Sequence, residues 1–218
     1  MSKREDLVKF HKKSIAEAAE RLFEKQGLEQ TTMDQVAREA EYSKATIYVY
    51  FKSKEEIYYY IVLNGMQKMM CRMENGLNSC EEVTGKYKAV CHELAGFSEE
   101  HPFQYKALTD TIAVDLESRK RMPVLEEIYQ IGEEMNDIFN DAFQEAAVQG
   151  SCRDDLNSLT TTMVLWSSLS GIIRLANEKE EYLTQRMNLS KAEFLDDAFD
   201  MLLRIIIKEE VADEEKNN

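Results

Sequence analysis

Between Thr32 and Glu56 the sequence carries three helix-start signals separated by only a few residues, and this spacing constrains the fold more than any other feature. Thr32 and Gln35 have the spacing of a capping box, which predicts a helix from Met33. Val36, Ala37 and Ala40 give that helix one apolar face. Glu41 to Ser43 is long enough only for a turn. Ser43 is a good N-cap for a second helix. Ser53 and Glu56 have the capping-box spacing again, so a third helix starts near Lys54. Two short helices joined by so tight a turn form a helix-turn-helix arrangement.

The middle helix, Lys44 to about Phe51, has two unlike faces. At about 100° per residue, Ile47 and Phe51 stack on one side. Ala45 and Val49 point the opposite way, with Thr46 and Tyr48 on the flanks. From Tyr42 to Lys54 there are three lysines and no acid. A helix whose outward residues are small, ringed by hydroxyl and ammonium donors, can approach a major groove closely.

Ile15, Ala18–Ala19, Leu22–Phe23, Gly27, Thr31–Thr32, Val36–Ala37, Ala40, Ser43, Thr46, Tyr48, Tyr50–Phe51 and Lys54–Glu55–Glu56 agree in type and spacing, without a gap, with one family. Over residues 9–60 the chain closely resembles the TetR/AcrR transcriptional regulators. The resemblance implies that Thr32, Ser43, Lys44, Thr46, Tyr48, Tyr50 and Lys54 face DNA, most of them holding phosphates. Lys44, Ala45, Thr46 and Val49 are the expected base readers, Ala45 and Val49 being able to meet a thymine methyl. Lys54 sits at a helix N-terminus, which also favours a phosphate. A packing role for Tyr48 and Tyr50 against the first helix stays open.

Charge fits this assignment once its distribution is considered. The net charge is −14, yet residues 1–60 hold 11 basic and 11 acidic side chains. The excess lies in 61–218, with 16 basic and 30 acidic. An acidic body with a locally basic edge suppresses non-specific attraction to phosphate. Two prolines and eight glycines among 218 residues suit long helices. No apolar run follows the first basic residues, so no signal peptide is expected. The apolar stretches Ile57–Leu63 and Ile205–Ile207 are too short to span a bilayer. A cytoplasmic protein with no membrane partner is expected, with Cys71, Cys80, Cys91 and Cys152 reduced.

The remaining chain reads as helices over 6–26, 54–78, 82–99, 103–116, 123–150, 155–178 and 190–211. Gly27 is placed to end the first in a left-handed cap. Lys3, Arg4, Lys9, Lys12 and Lys13 at its start fit either a solvated arm or phosphate contacts. Gly65 marks either a kink or a close approach in the fourth helix. Met66, Met69, Met70 and Met73 are either core filler or the wall of an adaptable pocket. With Tyr129, Met135, Phe139, Phe143 and Trp166 they are the candidate lining for a largely apolar effector. In the resembled family the last two helices form a four-helix bundle with a second copy. Here that implies a dimer interface from Leu159, Met163, Ser167, Ser170, Gly171, Phe199, Leu202 and Ile206.

No glycine-rich phosphate loop, GxSxG motif or CxxC pair is present, and His11, His92 and His101 are scattered. No enzyme activity, cofactor or metal is expected. The expectation is an all-α chain of about nine helices: a three-helix helix-turn-helix DNA-binding domain over 1–53, a helical effector-binding and dimerisation domain over 54–211, and a disordered acidic tail over 212–218. Its partners are double-stranded DNA bearing a palindromic operator, a small-molecule effector and a second copy of itself. The rival is a helical dimer whose helix-turn-helix binds another protein instead.

Overall fold

Short polar caps decide where these helices begin. In the computed structural model, Thr32 and Gln35 close their capping box, with the Thr32 N–H donating to Gln35 Oε1 at 2.8 Å. Ser43 Oγ accepts from the Thr46 N–H at 3.0 Å, and Ser190 and Glu193 form a second complete box. The structure describes residues 3–110, 112, 115–153 and 155–208. The expected tail over 212–218 lies outside these residues.

The described residues form eleven α-helices: α1 Lys3–Gln30, α2 Met33–Glu39, α3 Lys44–Tyr50, α4 Lys54–Leu77, α5 Val83–Glu100, α6 Pro102–Thr109, α7 Leu116–Arg121, α8 Pro123–Val148, α9 Ser158–Glu178, α10 Glu180–Tyr182 and α11 Lys191–Ile206. A π-helical turn, Leu183–Met187, precedes α11. Among the described residues there is no strand, only an isolated bridge between Cys152 and Ile207.

Two helices exceed the expected nine, and each has a local cause. α6 stops at Thr109 rather than running to 116. Asp115 then caps a new helix by accepting from the N–H groups of Glu117 and Ser118. The Ser118 hydroxyl and these amides hold the Asp115 carboxyl below its ordinary range. α10 is a single turn directly after α9. Within α1, Gly27 takes φ +81° and ψ 159°, so the regular helix breaks there and a short turn completes it. α4 continues through Gly65, where an added Cβ would lie 3.2 Å from Gln104 Cβ of α6. Gly65 therefore serves close packing.

The helices divide into two compact units: residues 1–70 with 97–133, and residues 71–96 with 134–218. In the first unit, Ile15, Ala19 and Phe23 of α1 meet Val36 and Ala37 of α2, Ile47 of α3, and Phe51, Ile57 and Ile61. A second cluster in that unit joins Val62 and Leu63 to Ala107, Leu125, Ile128 and Ile131. In the second unit α9 packs on α11, while Ala146, Cys152 and Ile206 gather Tyr87, Phe143 and Leu165.

One expectation about apolar length needs correction. α9 is 21 residues long with a mean hydropathy of 1.2, long and apolar enough to cross a membrane by length and composition alone. Its Leu169, Ile173 and Ala176 are instead buried, as are Thr161 and Thr162. Leu159, Met163, Val164 and Leu175 lie exposed, so one side of α9 packs inside the unit and the other does not.

Gly76 of α4 lies against α5, where an added Cβ would sit 2.9 Å from the backbone N of Val90. Backbone cannot yield as a side-chain tip can. Gly76→Ala is expected to lower the unfolding free energy by about 1–3 kcal/mol in urea denaturation.

Candidate nucleic-acid interface and an apolar cavity

α3 is seven residues long and cannot hold its shape alone. Ser43 caps its start, and Ile47 and Phe51 fix it to the core with 0 % and 1 % exposure. The opposite face is consequently open: Ala45 is exposed, Val49 is 76 % exposed and Tyr48 47 %. Thr46 is half-buried on the flank, its hydroxyl 2.7 Å from that of Ser43. α2 packs against α3, and the turn between them places Glu41 at φ +59°. The Tyr42 N–H donates to the Ala37 carbonyl at 2.9 Å to close that turn.

The end of α1 supports this arrangement. Its last carbonyls would otherwise lack partners. The buried Thr31 donates its hydroxyl to the Gly27 carbonyl at 2.8 Å, and Lys54 Nζ donates to the carbonyls of Leu28 and Glu29 at 2.9 and 3.0 Å. Gln26 Nε2 bridges Gln30 O, Thr31 Oγ1 and Gln35 Oε1. One polar junction therefore ties the end of α1 to the cap of α2 and the start of α4.

The residues expected to face DNA fall into three groups. Ala45, Tyr48 and Val49 stand open on α3. Ser43, Lys44 and Thr46 flank that face of α3 and Thr32 caps α2, and all four already hold local partners. Lys44 is 2.6 Å from Asp34 of α2, and that hydrogen bond raises its pKa above the ordinary lysine value. An exposed pair of this kind exchanges easily for another anion. Tyr50 and Lys54 turn inward: the Tyr50 ring lies 5.3 Å from His11 of α1, and Lys54 serves the α1 carbonyls. Lys54 thus braces the end of α1 against the start of α4, because a helix end draws in a nearby ammonium. Residue spacing did not disclose His11. Its Nδ1 is 2.6 Å from the Tyr42 hydroxyl, joining α1 to the turn.

The second unit contains an apolar cavity of about 90 Å³. Its walls include Leu77 from α4, Tyr87 and Cys91 from α5, Phe139 and Phe143 from α8, Leu169 from α9, and Ile206. Of the expected effector residues, Phe139 and Phe143 line it. Met66 and Met70 instead pack on the Leu63–Ile128 cluster of the first unit. Met69 and Met73 are fully buried, and Met135 is buried. Tyr129 is exposed beneath the Arg119 guanidinium, 4.1 Å from its ring centre, and Trp166 is half-buried. Thioethers here fill core gaps. Burial pushes the Cys91 thiol up to about 12 and raises that of Cys152, so both stay protonated and poorly nucleophilic.

Along α9, Leu159, Met163 and Ser167 are exposed, and Ser170 and Gly171 half-buried. On α11 the expected faces are reversed. Phe199, Leu202 and Ile206 are buried inside the unit, and Met201 and Ile205 are the exposed apolar residues. Helical spacing shows which residues share a stripe but not which of two apolar stripes the rest of the chain covers.

Residues 15–61 match the family described as bacterial regulatory proteins, tetR family. The chain is 28 % identical over 137 residues to the uncharacterized HTH-type transcriptional regulator YfiR of Bacillus subtilis strain 168, covering 62 % of this chain and 63 % of that protein. It is 39 % identical over 108 residues to YhgD of the same organism, also an uncharacterized HTH-type transcriptional regulator, covering 47 % and 56 %. The chain thus spans between about half and two thirds of the length of these relatives. The ketosteroid transcriptional regulator KstR2 of Mycobacterium tuberculosis superposes with a TM-score of 0.66 at 17 % identity, covering 91 % of this chain and 95 % of that one. At that identity the likeness is one of fold.

Lys54→Ala is expected to lower the unfolding free energy by about 1–2 kcal/mol, since it strips two carbonyls of a charged donor. Val49→Ala is expected to stay within about 0.5 kcal/mol of the parent. Urea denaturation of the two variants side by side checks both.

Proposed function

We propose that this protein, a member of the TetR family of bacterial regulatory proteins, is a homodimeric repressor whose α3 reads a palindromic operator and whose second unit binds a small apolar effector that releases it. The observation that carries this reading is the split of α3, with Ile47 buried and Ala45, Tyr48 and Val49 open beside it. Small side chains let the helix approach base edges, with Ala45, Thr46 and Val49 as readers. Tyr48, Ser43 and Thr32 supply hydroxyls to phosphates, and Lys44 exchanges Asp34 for one. Tyr50 and Lys54 position this surface from behind. Such a protein works in the cytoplasm, and no catalytic role is proposed.

A second copy is the occupant that best fits the exposed apolar residues of α9 and α11. Leu159, Met163, Val164 and Leu175 share one broad face of α9, and Met201 and Ile205 share one face of α11. Two reading heads related by a two-fold axis require half-sites about 34–36 Å apart, or modestly more. The cavity supports an effector site, and α4 supports a coupling route. That single helix starts with Lys54 at the α1 carbonyls and ends at Leu77 in the cavity wall. Coupling requires that the effector bind the DNA-competent and released shapes unequally.

Fluorescence anisotropy on duplex DNA tests the reading. Affinity is expected to fall steeply and log-linearly with salt, as counterion release demands. Tyr48→Phe is expected to weaken all sequences alike, whereas Thr46→Val changes the preference among them. Salt-independent binding, or none at low salt, points to a protein partner instead. For the dimer, Met163→Glu with Met201→Glu is expected to halve the mass seen by light scattering without loss of helicity. An unchanged mass places the interface elsewhere.

A further inference from the structure

Among the described residues, the cavity of the second unit has one ionic feature in its lining. Lys86 of α5 and Glu145 of α8 pair across it, Lys86 Nζ to Glu145 Oε1 at 3.4 Å. The other polar groups are neutral or engaged. The Tyr87 hydroxyl donates to the Phe199 carbonyl at 3.2 Å, and burial keeps the Cys91 and Cys152 thiols protonated. Thr162 of α9 adds one buried hydroxyl-bearing side chain, and the other lining residues are aliphatic and aromatic.

The pair is unequal. The Lys86 side chain is 22 % exposed and that of Glu145 56 %. Glu145 also takes a hydrogen bond from Gln149 Nε2 at 3.2 Å, one turn further along α8. Glu145 can therefore swing into water at little cost, keeping Gln149 as a partner. Lys86 cannot, because an ammonium held against an apolar wall needs a nearby anion. An incoming anion replaces Glu145 and leaves both charges satisfied. An incoming cation would capture Glu145 and strand Lys86. The lining thus discriminates by sign as well as by polarity.

Size narrows the class further. An apolar cavity of about 150 Å³ accepts benzene. By volume, about 90 Å³ admits roughly four carbons, and a few more if the half-exposed Glu145 side chain swings aside. We propose that the effector is a short-chain carboxylate of about four to six carbons, its tail between Phe139, Phe143 and Leu169 and its carboxylate on Lys86 in place of Glu145. This rests on the reading of the cavity as the effector site.

Isothermal titration calorimetry on the full chain, without DNA, tests it with hexanoate, hexanol, hexylamine and dodecanoate as probes. Hexanoate is expected to bind at least about tenfold more tightly than hexanol or hexylamine, and dodecanoate no more tightly than hexanoate. Lys86→Met keeps the aliphatic stem and is expected to bring hexanoate down to the level of hexanol. Glu145→Gln removes the internal competitor and is expected to tighten hexanoate by about three- to fivefold. Ala146→Phe is expected to abolish binding of every probe. Should Lys86→Met fail to fold, the probe series and Glu145→Gln decide. The proposal is overturned by equal binding of the three six-carbon probes, by no binding of any, or by weaker hexanoate binding in Glu145→Gln. Operator binding is measured separately by anisotropy. Duplex binding without hexanoate binding defeats this inference alone, and hexanoate binding without duplex binding defeats the regulator reading alone.

Discussion

The packing of α1, α2 and α3 in the first unit depends on the burial of two side chains, Ile47 and Phe51. Each contributes about 1.5–3 kcal/mol when fully removed from water. They are the anchors of a helix too short to persist in isolation. Their direction also sets the chemistry of the surface. With a helical repeat of 3.6 residues, fixing Ile47 inward forces Ala45 and Val49 outward. Core packing and the presented surface are therefore one constraint seen from two sides. A substitution that loosened Ile47 would disorder the outer face without touching it.

Around that anchor, polar groups settle the ends of the helices. The Gly27 backbone, at φ +81°, breaks α1 where its carbonyls can turn toward Thr31 and Lys54. Gln104 of α6 does similar work in the same unit. It is buried, donates to Glu20 of α1 at 3.1 Å and accepts from Lys68 of α4 at 3.4 Å. Burial raises the Glu20 carboxyl above its ordinary value. The folded form thus holds that proton more tightly than the unfolded chain, and Glu20 costs stability as pH rises through and above the ordinary carboxylate range. A cost of this kind is tolerated where a polar contact sets the register of α1 against α4 and α6.

What the sequence disclosed was local. The box at Thr32 and the cap at Ser43 could be read because each signal spans four residues and closes on nearby backbone groups. The two faces of α3 followed from the same arithmetic. Asp115 was missed because 103–116 reads as one helix, in which an aspartate gives no sign of capping a new one. The rest needed tertiary information. Met66 and Met73 share a helix and a residue type, yet one is half-buried and the other fully buried. The cavity draws its walls from α4, α5, α8, α9 and α11, and no spacing along one helix reports that convergence. No charged residue stood out in the sequence as a ligand partner, and Lys86 emerges only once α5 and α8 are packed together. On α11 both stripes are apolar enough to be inner, so only packing could tell Phe199 from Met201.

The central claim is that the open face of α3 enters a duplex groove. Dimethyl sulfate interference at guanine N7, which lies in the major groove, probes that contact directly on a selected binding sequence. The account predicts interference confined to two major-groove segments on one side of the duplex, related by a two-fold axis. Interference spread evenly along the sequence, or none in a bound complex, would contradict it.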